Sequence, residues 1–311
     1  MNVPAKLGIY GLGLVLAFGG ALGVGRLVGP ITTADAQEEG AHGHAAEVPS
    51  SGAPNIPQGL QVSEGGYTLD LLAAPEEAGA EAPLSFRITG PDGEAVTDFA
   101  VEHDKPMHVI LVGRDLDGYR HLHPEMRGDG VWTAPVEPDT PGPYRLFADF
   151  VPEGEKTGRV LGVDMAVPGD YRPGPLPEPA ATAEVDGYEV ALDGQPAAGE
   201  SSELTFTVTE DGDPVTDLEP YLGSYGHLVA LRDGDLAFAH VHPAGEPGDG
   251  ATEPGPEITF ATRLPSPGAY RLYLDFQHDG AVHTAEFTVA AGGTEGTFGT
   301  GGGSGGGHDG H

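Results

Sequence analysis

The chain is written twice. Pro141-Gly-Pro-Tyr-Arg-Leu-Phe-Ala-Asp-Phe150 returns as Pro267-Gly-Ala-Tyr-Arg-Leu-Tyr-Leu-Asp-Phe276, and Leu84-Ser-Phe-Arg-Ile88 returns as Leu204-Thr-Phe-Thr-Val208. Glu94-Ala-Val-Thr-Asp98 likewise matches Asp213-Pro-Val-Thr-Asp217. A period near 120 residues is too long for a solenoid and fits two tandem domains.

Each unit reads as all-β, because short alternating or β-branched runs are separated by Gly, Pro and Asp turns. The first unit predicts strands near 67–73, 83–90, 107–113, 119–123, 131–136, 143–150 and 158–167. The second predicts strands near 187–192, 203–209, 226–232, 235–242, 257–263, 269–276 and 281–289. Seven short strands per unit point to immunoglobulin-like β-sandwiches. Tyr144 and Tyr270, each after a Pro-Gly pair, suit the tyrosine that enters a late strand at a sandwich corner. No amphipathic helix is evident after residue 40.

The remaining segments frame these units. Lys6 precedes an uncharged run from Leu7 to Gly25, closed by Arg26, and Ala34-Asp-Ala36 offers a small-residue cleavage site. Residues 1–36 are therefore expected to be a signal peptide or membrane anchor, and 37–58 a flexible stalk. Residues 59–168 form repeat 1, 169–182 a proline-rich linker, 183–291 repeat 2, and 292–311 a disordered Gly/His tail.

Composition narrows the chemistry. With 48 acidic against 14 basic residues the net charge is −34, which repels nucleic acid and anionic lipid and attracts cations. Adaptation to salt would give the same bias. There is no cysteine, so thiolate metal sites, disulfides and cysteine nucleophiles are excluded. No P-loop, GxSxG, HExxH or dinucleotide fingerprint occurs, and the chain is not expected to be an enzyme.

One motif outlasts the drift between repeats. His108, His121, His123 and Pro124 recur as His227, His240, His242 and Pro243, and these are the only identities between 108–124 and 227–243 in gap-free register. A backbone fold needs apolar alternation there but not three histidines. If Asp233-Gly234 makes a two-residue hairpin, His227 falls opposite His240, and His242 shares their face. Cross-strand neighbours lie roughly 4.5–5.5 Å apart, so the three imidazoles could converge on one ion. Val229, Leu231 and Phe238 share that face, which is therefore expected to point into the sandwich. The competing account is a structural cluster hydrogen-bonded to backbone and carboxylates.

Secondary ligand candidates are His103, Met107, Met126, His278 and His283. Met107, Met126 and Met165 all lie in repeat 1, and two of them flank its histidines, adding a soft ligand type suited to Cu(I). Asp149 and Asp275 recur at the end of the Tyr-strand, where they could orient an imidazole or simply face solvent. His42/His44 and His308/His311 sit in polar tracts as weak scavengers or ordinary surface residues.

The stretches His227-Leu-Val-Ala-Leu231, His240-Val-His-Pro243 and Tyr270–Phe276 resemble a group of exported actinobacterial tandem β-sandwich proteins of unassigned role. More distantly, the chain is similar to YtkA-like and CopC-like extracytoplasmic domains, the latter linked to copper handling. That resemblance implies an extracytoplasmic, membrane-anchored or secreted sandwich protein. The leading expectation is a metal-binding protein, with a copper ion favoured over a zinc ion. It would buffer the ion or deliver it to a membrane transporter or other envelope protein. The alternative is a tandem Ig-like adhesion or assembly module with structural histidine clusters.

Overall fold

The computed structural model describes residues 56–239 and 241–292. The export segment, most of the stalk, the terminal histidine pairs, the tail and His240 lie outside the described residues. Among the described residues no helix is long and apolar enough to cross a membrane.

Repeat 1 contains β1 (Ser63–Glu64), β2 (Tyr67–Ala73), β3 (Ala82–Thr89), β4 (His108–Gly113), β5 (Arg120–Leu122), β6 (Glu125–Met126), β7 (Val131–Val136), β8 (Gly142–Phe150) and β9 (Arg159–Val167). Repeat 2 contains β10 (Thr182–Val185), β11 (Tyr188–Asp193), β12 (Ser202–Glu210), β13 (Asp213–Pro214) and β14 (Gly226–Arg232). It continues with β15 (Phe238–Ala239), β16 (Val241–Pro243), β17 (Glu257–Thr262), β18 (Gly268–His278) and β19 (Ala281–Ala291).

In the first domain a β1-β2-β3-β7-β6 sheet faces a β5-β4-β8-β9 sheet. The second repeats this with β10-β11-β12-β17-β16, where β13 also pairs with β12, against β15-β14-β18-β19. The chain changes sheet between β3 and β4, between β5 and β6, and between β7 and β8, the kind of sheet exchange found in an immunoglobulin-like sandwich. The protein is thus two tandem immunoglobulin-like sandwiches. Each interior is apolar, with Trp132, Phe86 and Leu146 in the first and Phe206, Phe260 and Phe287 in the second. The corner tyrosines behave as the sequence suggests. Tyr144 Oη donates to Thr140 O at 2.8 Å and Tyr270 Oη to Ser266 O at 2.8 Å.

Two local expectations are corrected. First, the β14 hairpin does not turn on two residues. Arg232 N bonds Ala237 O, Leu236 N bonds Arg232 O, and Leu236 takes φ 61°. The wider loop pairs Ala230 with Ala239, two residues away from the expected register. A two-residue slip preserves the faces, because side chains alternate with period two. Second, the strand expected over 235–242 is divided. β15 pairs with β14, whereas β16 pairs with β17 in the opposite sheet and sets His242 against Ala261. Repeat 1 divides likewise, with β5 on β4 and β6 on β7, so His123-Pro124 is the crossover between sheets. A proline suits that place, since it cannot continue a ladder.

The largest correction concerns the histidine face. Val109 and Leu111 line the first sandwich interior and Leu228 and Ala230 the second. Ile110, Val112, Val229 and Leu231 lie on the opposite faces of the same strands and pack together in a third cluster. The histidine-bearing faces are the outer faces of the two sheets, and they are buried because each domain covers the other's. His108-Val-Ile-Leu-Val-Gly113 is apolar on both sides, as strands buried on both faces are. Alternation alone could not separate the two faces.

Replacing Tyr144 or Tyr270 by Phe leaves a carbonyl without its donor and also removes the longer bond that the same hydroxyl accepts, from Thr140 Oγ1 or Ser266 N. Each change is expected to lower unfolding free energy by about 1 kcal/mol, read as a lower denaturation midpoint at constant m. An unchanged midpoint would show that the corners contribute nothing.

Candidate functional site

The seam between the domains has internal two-fold character. Tyr119 stacks on Tyr273 with ring centroids 4.1 Å apart and planes 6° apart. The equivalent positions, Phe238 and Phe147, meet at 5.7 Å. Tyr273 Oη donates to Leu116 O at 2.7 Å. Leu176 of the linker packs on the same cluster. Gln58, assigned by sequence to the stalk, accepts from Phe238 N at 3.0 Å, while Gly59 N bonds Val160 O at 2.9 Å. The lead-in strand therefore stitches the two domains together.

The histidines gather at the edge of this seam. His108 opens β4, and its Nε2 donates to Glu102 O at 2.9 Å. His227 opens the same strand of repeat 2, and its Nε2 donates to Tyr221 O at 2.8 Å. Both carbonyls belong to tight turns closed by reciprocal backbone bonds, Glu102 with Lys105 and Tyr221 with Ser224. The next residue in each turn, His103 or Leu222, has positive φ, 48° or 52°. The repeat thus fixes both rings by the same device. In each case Nδ1 keeps its lone pair.

His121 reaches across the seam. Its Nδ1 lies 2.9 Å from Asp275 Oδ2 of the second domain. Asp275 is buried and also accepts from Thr284 Oγ1 at 2.6 Å and from Tyr119 Oη at 3.4 Å. The carboxylate can only accept, so Nδ1 carries a proton and Nε2 is the nitrogen left to face His108. That Nε2 sits 3.3 Å from Nδ1 of His108. Either a second proton on His121 is donated to His108, or two lone pairs face each other and call for a cation between them.

His123 completes the group, its ring 4.7 Å from that of His121 and 5.1 Å from that of His108. Its Nε2 is buried with no hydrogen-bond partner among the described residues. One ring nitrogen from each of His108, His121 and His123 lies within 4.8 Å of the other two. His103 and His227 adjoin them, 5.4 Å apart by ring centroids. A cavity of about 80 Å³ opens between the domains, lined by His103, His108, His121, Asp149 and His227.

Burial decides the charge state of most of these rings. It pushes His108 and His227 down to about 4, against the upward pull of the carbonyls they bond. Burial, then the neighbouring His121 and His108, holds His123 at about 3. Asp149, opposite His108 on β8, is pushed up to about 7 by burial. The site thus holds neutral imidazoles beside a carboxyl poised near neutrality.

The other candidates are placed elsewhere. Met107 and Met165 are buried in the first core and Met126 packs against it, so apolar packing accounts for all three. His278 bonds Tyr188 Oη at 2.8 Å and Asp217 at 3.2 Å, and His283 bonds Asp186 at 2.9 Å, both within repeat 2. His242 lies on β16, and His240 is outside the described residues. The described residues bring together the histidines of repeat 1 and add His227 to them. Sequence reasoning gave Asp275 an orienting or solvent-facing role but missed that its imidazole belongs to the other repeat.

A family model described as Domain of unknown function (DUF8832) matches residues 61–167 and again 183–293. The chain belongs to this family. Both sandwiches are DUF8832 domains, so the seam joins two copies of one family unit. No curated protein matches. Among solved structures, the Escherichia coli adhesin FdeC is 16% identical over 74% of this chain and 65% of its own, with a TM-score of 0.25. Invasin, a bacterial integrin-binding protein, is 14% identical over 72% and 39%, at 0.22. A protein of Corynebacterium diphtheriae described as a putative membrane anchored protein is 13% identical over 73% and 59%, at 0.21. The chain spans less than two thirds of each of these, and at such scores the likeness carries no argument for function.

The paired DUF8832 seam should be acid-sensitive. An imidazole of ordinary value 6.5 held at about 4 when folded takes up protons more readily when unfolded. Its stabilisation is full above pH 6.5 and drains away as pH falls toward 4, amounting to about 3 kcal/mol each for His108 and His227. Asp149 acts oppositely, losing stability as pH rises from 3.8 to about 7, but the three lowered imidazoles outnumber it. With chelator present, the melting temperature at pH 5 is expected to fall below that at pH 7. A His108→Gln, His227→Gln variant should flatten the slope. Equal slopes in parent and variant would refute this origin.

Proposed function

We propose that this protein is an extracytoplasmic assembly or adhesion module, in which two Ig-like domains are locked into one rigid unit by their histidine-bearing sheets. The observation that carries this reading is the seam. Ile110, Val112, Leu116, Tyr119, Phe147 and Val160 of one domain are buried against Val229, Leu231, Leu236, Phe238 and Tyr273 of the other. Flexibly strung domains have no need of such a face, since interfaces within a chain are ordinarily smaller and more polar. A rigid pair instead presents its outer surfaces at a fixed angle, which suits multivalent contact or packing with neighbours. The acidic surface keeps such a unit soluble and spaced from anionic envelope polymers. The uncharged run at 7–25 supports export.

The hydrogen bonds of His108, His121 and His227 support a structural role for these rings within the module. Copper buffering, the other reading, draws support from the three clustered imidazoles. Its preference for Cu(I) loses its basis, because the methionines are accounted for by core packing.

Small-angle scattering of the full chain tests the module. The parent should scatter with its two domains as one particle, and a Tyr119→Ala, Tyr273→Ala variant should show a larger maximum dimension with unchanged β-sheet circular dichroism. In cells lacking the protein, adherence or envelope integrity should fall, and the seam-broken variant should restore it poorly. Domains that move freely in the parent, or full restoration by the variant, would overturn the reading.

A further inference from the structure

Five clustered imidazoles in a mostly apolar seam need a reason. A hydrogen-bonded cluster explains His108 through Glu102, His227 through Tyr221 and His121 through Asp275. It leaves two facts without an account. Unless a second proton sits on His121 and is donated to His108, the facing nitrogens of the two rings are both acceptors. The buried Nε2 of His123 has no partner among the described residues. An unpaired buried polar atom is costly.

The spacing suggests what belongs there. Two nitrogens bound at about 2.0–2.1 Å to one tetrahedral ion lie about 3.3–3.4 Å apart. Nδ1 of His108 and Nε2 of His121 are 3.3 Å apart. A ring nitrogen of His123 lies within 4.8 Å of one on each of the other two rings, and the His123 ring has no hydrogen bond to any described residue, so it can swing inward. The geometry points to a three-histidine site for a divalent late transition ion, Zn(II) or Cu(II), formed by His108, His121 and His123 at the domain seam.

Each ligand has its support. The Glu102 carbonyl sets the ring of His108 and presents Nδ1. Asp275 does the same for His121 and presents Nε2, which makes it a positioning residue contributed by the other repeat. A carboxylate–histidine–metal relay of this kind tightens metal sites. With three protein ligands the fourth position is open, and the cavity lined by Asp149 and His103 provides room for it. Because Asp275 belongs to the second domain, loading the site also ties the domains together. The ion would stabilise the docked arrangement by mass action. The inference rests on the seam geometry and goes beyond the module reading.

The test uses the purified full chain, stripped with chelator and titrated calorimetrically with Zn²⁺ and, separately, with Cu²⁺. One equivalent is expected to bind tighter than micromolar and to raise the melting temperature. Co²⁺ in place of Zn²⁺ should give the intense visible absorption of a four-coordinate ion. His123→Ala removes a ring that makes no hydrogen bond to any described residue, so the protein should fold normally and lose this equivalent and the Co²⁺ band. Asp275→Ala should weaken binding about 10–100-fold, and Asp275→Asn, which keeps an acceptor for His121, should recover most of it. His227→Ala should leave the stoichiometry unchanged. Terminal-tail binding would survive in His123→Ala. Absence of tight binding in the parent, or identical titrations for parent and His123→Ala, would overturn the site. That failure would leave the seam a hydrogen-bonded cluster and the module intact. A seam that opens while the equivalent is retained would instead sink the module alone.

Discussion

The contact on which the structure turns is the burial of one sheet's outer face against its twin. An immunoglobulin-like sheet usually shows a polar outer face to water, and its strands then alternate. Here β4 and β14 are apolar on both sides, so each domain alone would expose an unbroken apolar face. Such a face is a docking or aggregation site unless covered. Covering it with the sister copy uses a surface already duplicated, so the contact is self-complementary in the manner of a two-fold dimer. The stacked Tyr119–Tyr273 pair adds about 0.5–1.5 kcal/mol beyond its buried area.

The polar chemistry follows from that burial. Placing Asp275 inside a seam is costly unless its lone pairs are filled, and it takes bonds from His121, Thr284 and Tyr119. The rings beside it are driven to their neutral forms by the same exclusion of water. A low-dielectric rim holding neutral imidazoles and one buried carboxylate is an environment that an exposed H-x-H pair on a sheet edge would not have.

Much of this was legible in the chain. The duplication, the all-β character, both corner tyrosines and the shared face of His108, His121 and His123 follow from repeat and period-two reasoning. The hairpin register was misjudged because Asp233-Gly234 looks like a complete turn. The strand instead closes on a wider loop that needs Leu236 in a left-handed conformation. The direction of the histidine face was misjudged for a deeper reason. Alternation identifies a face but not what covers it, and Val-Ile-Leu-Val at 109–112 gives no alternation to read. That unbroken run was itself the signal that something covers both sides. His121 with Asp275, 154 residues apart, had no local signature at all.

The two-fold likeness of the seam makes its departures informative. At one end of the pseudo-axis the meeting pair is Phe147 and Phe238, which can only exclude water. At the other the equivalents are Tyr273 and Tyr119, and both hydroxyls are used, one on Leu116 O and one toward Asp275. Two ring positions thus gained a polar atom on the side where His121 crosses the seam, and none on the other. The turn before each β-strand histidine departs in parallel, since His103 occupies the place held by Leu222 in the second copy. These differences load polar groups onto the edge where the repeat 1 histidines gather. A duplicated sandwich that needed only to dock on its twin would have no cause to diverge in that direction, whereas one that had come to hold a polar guest at one edge would.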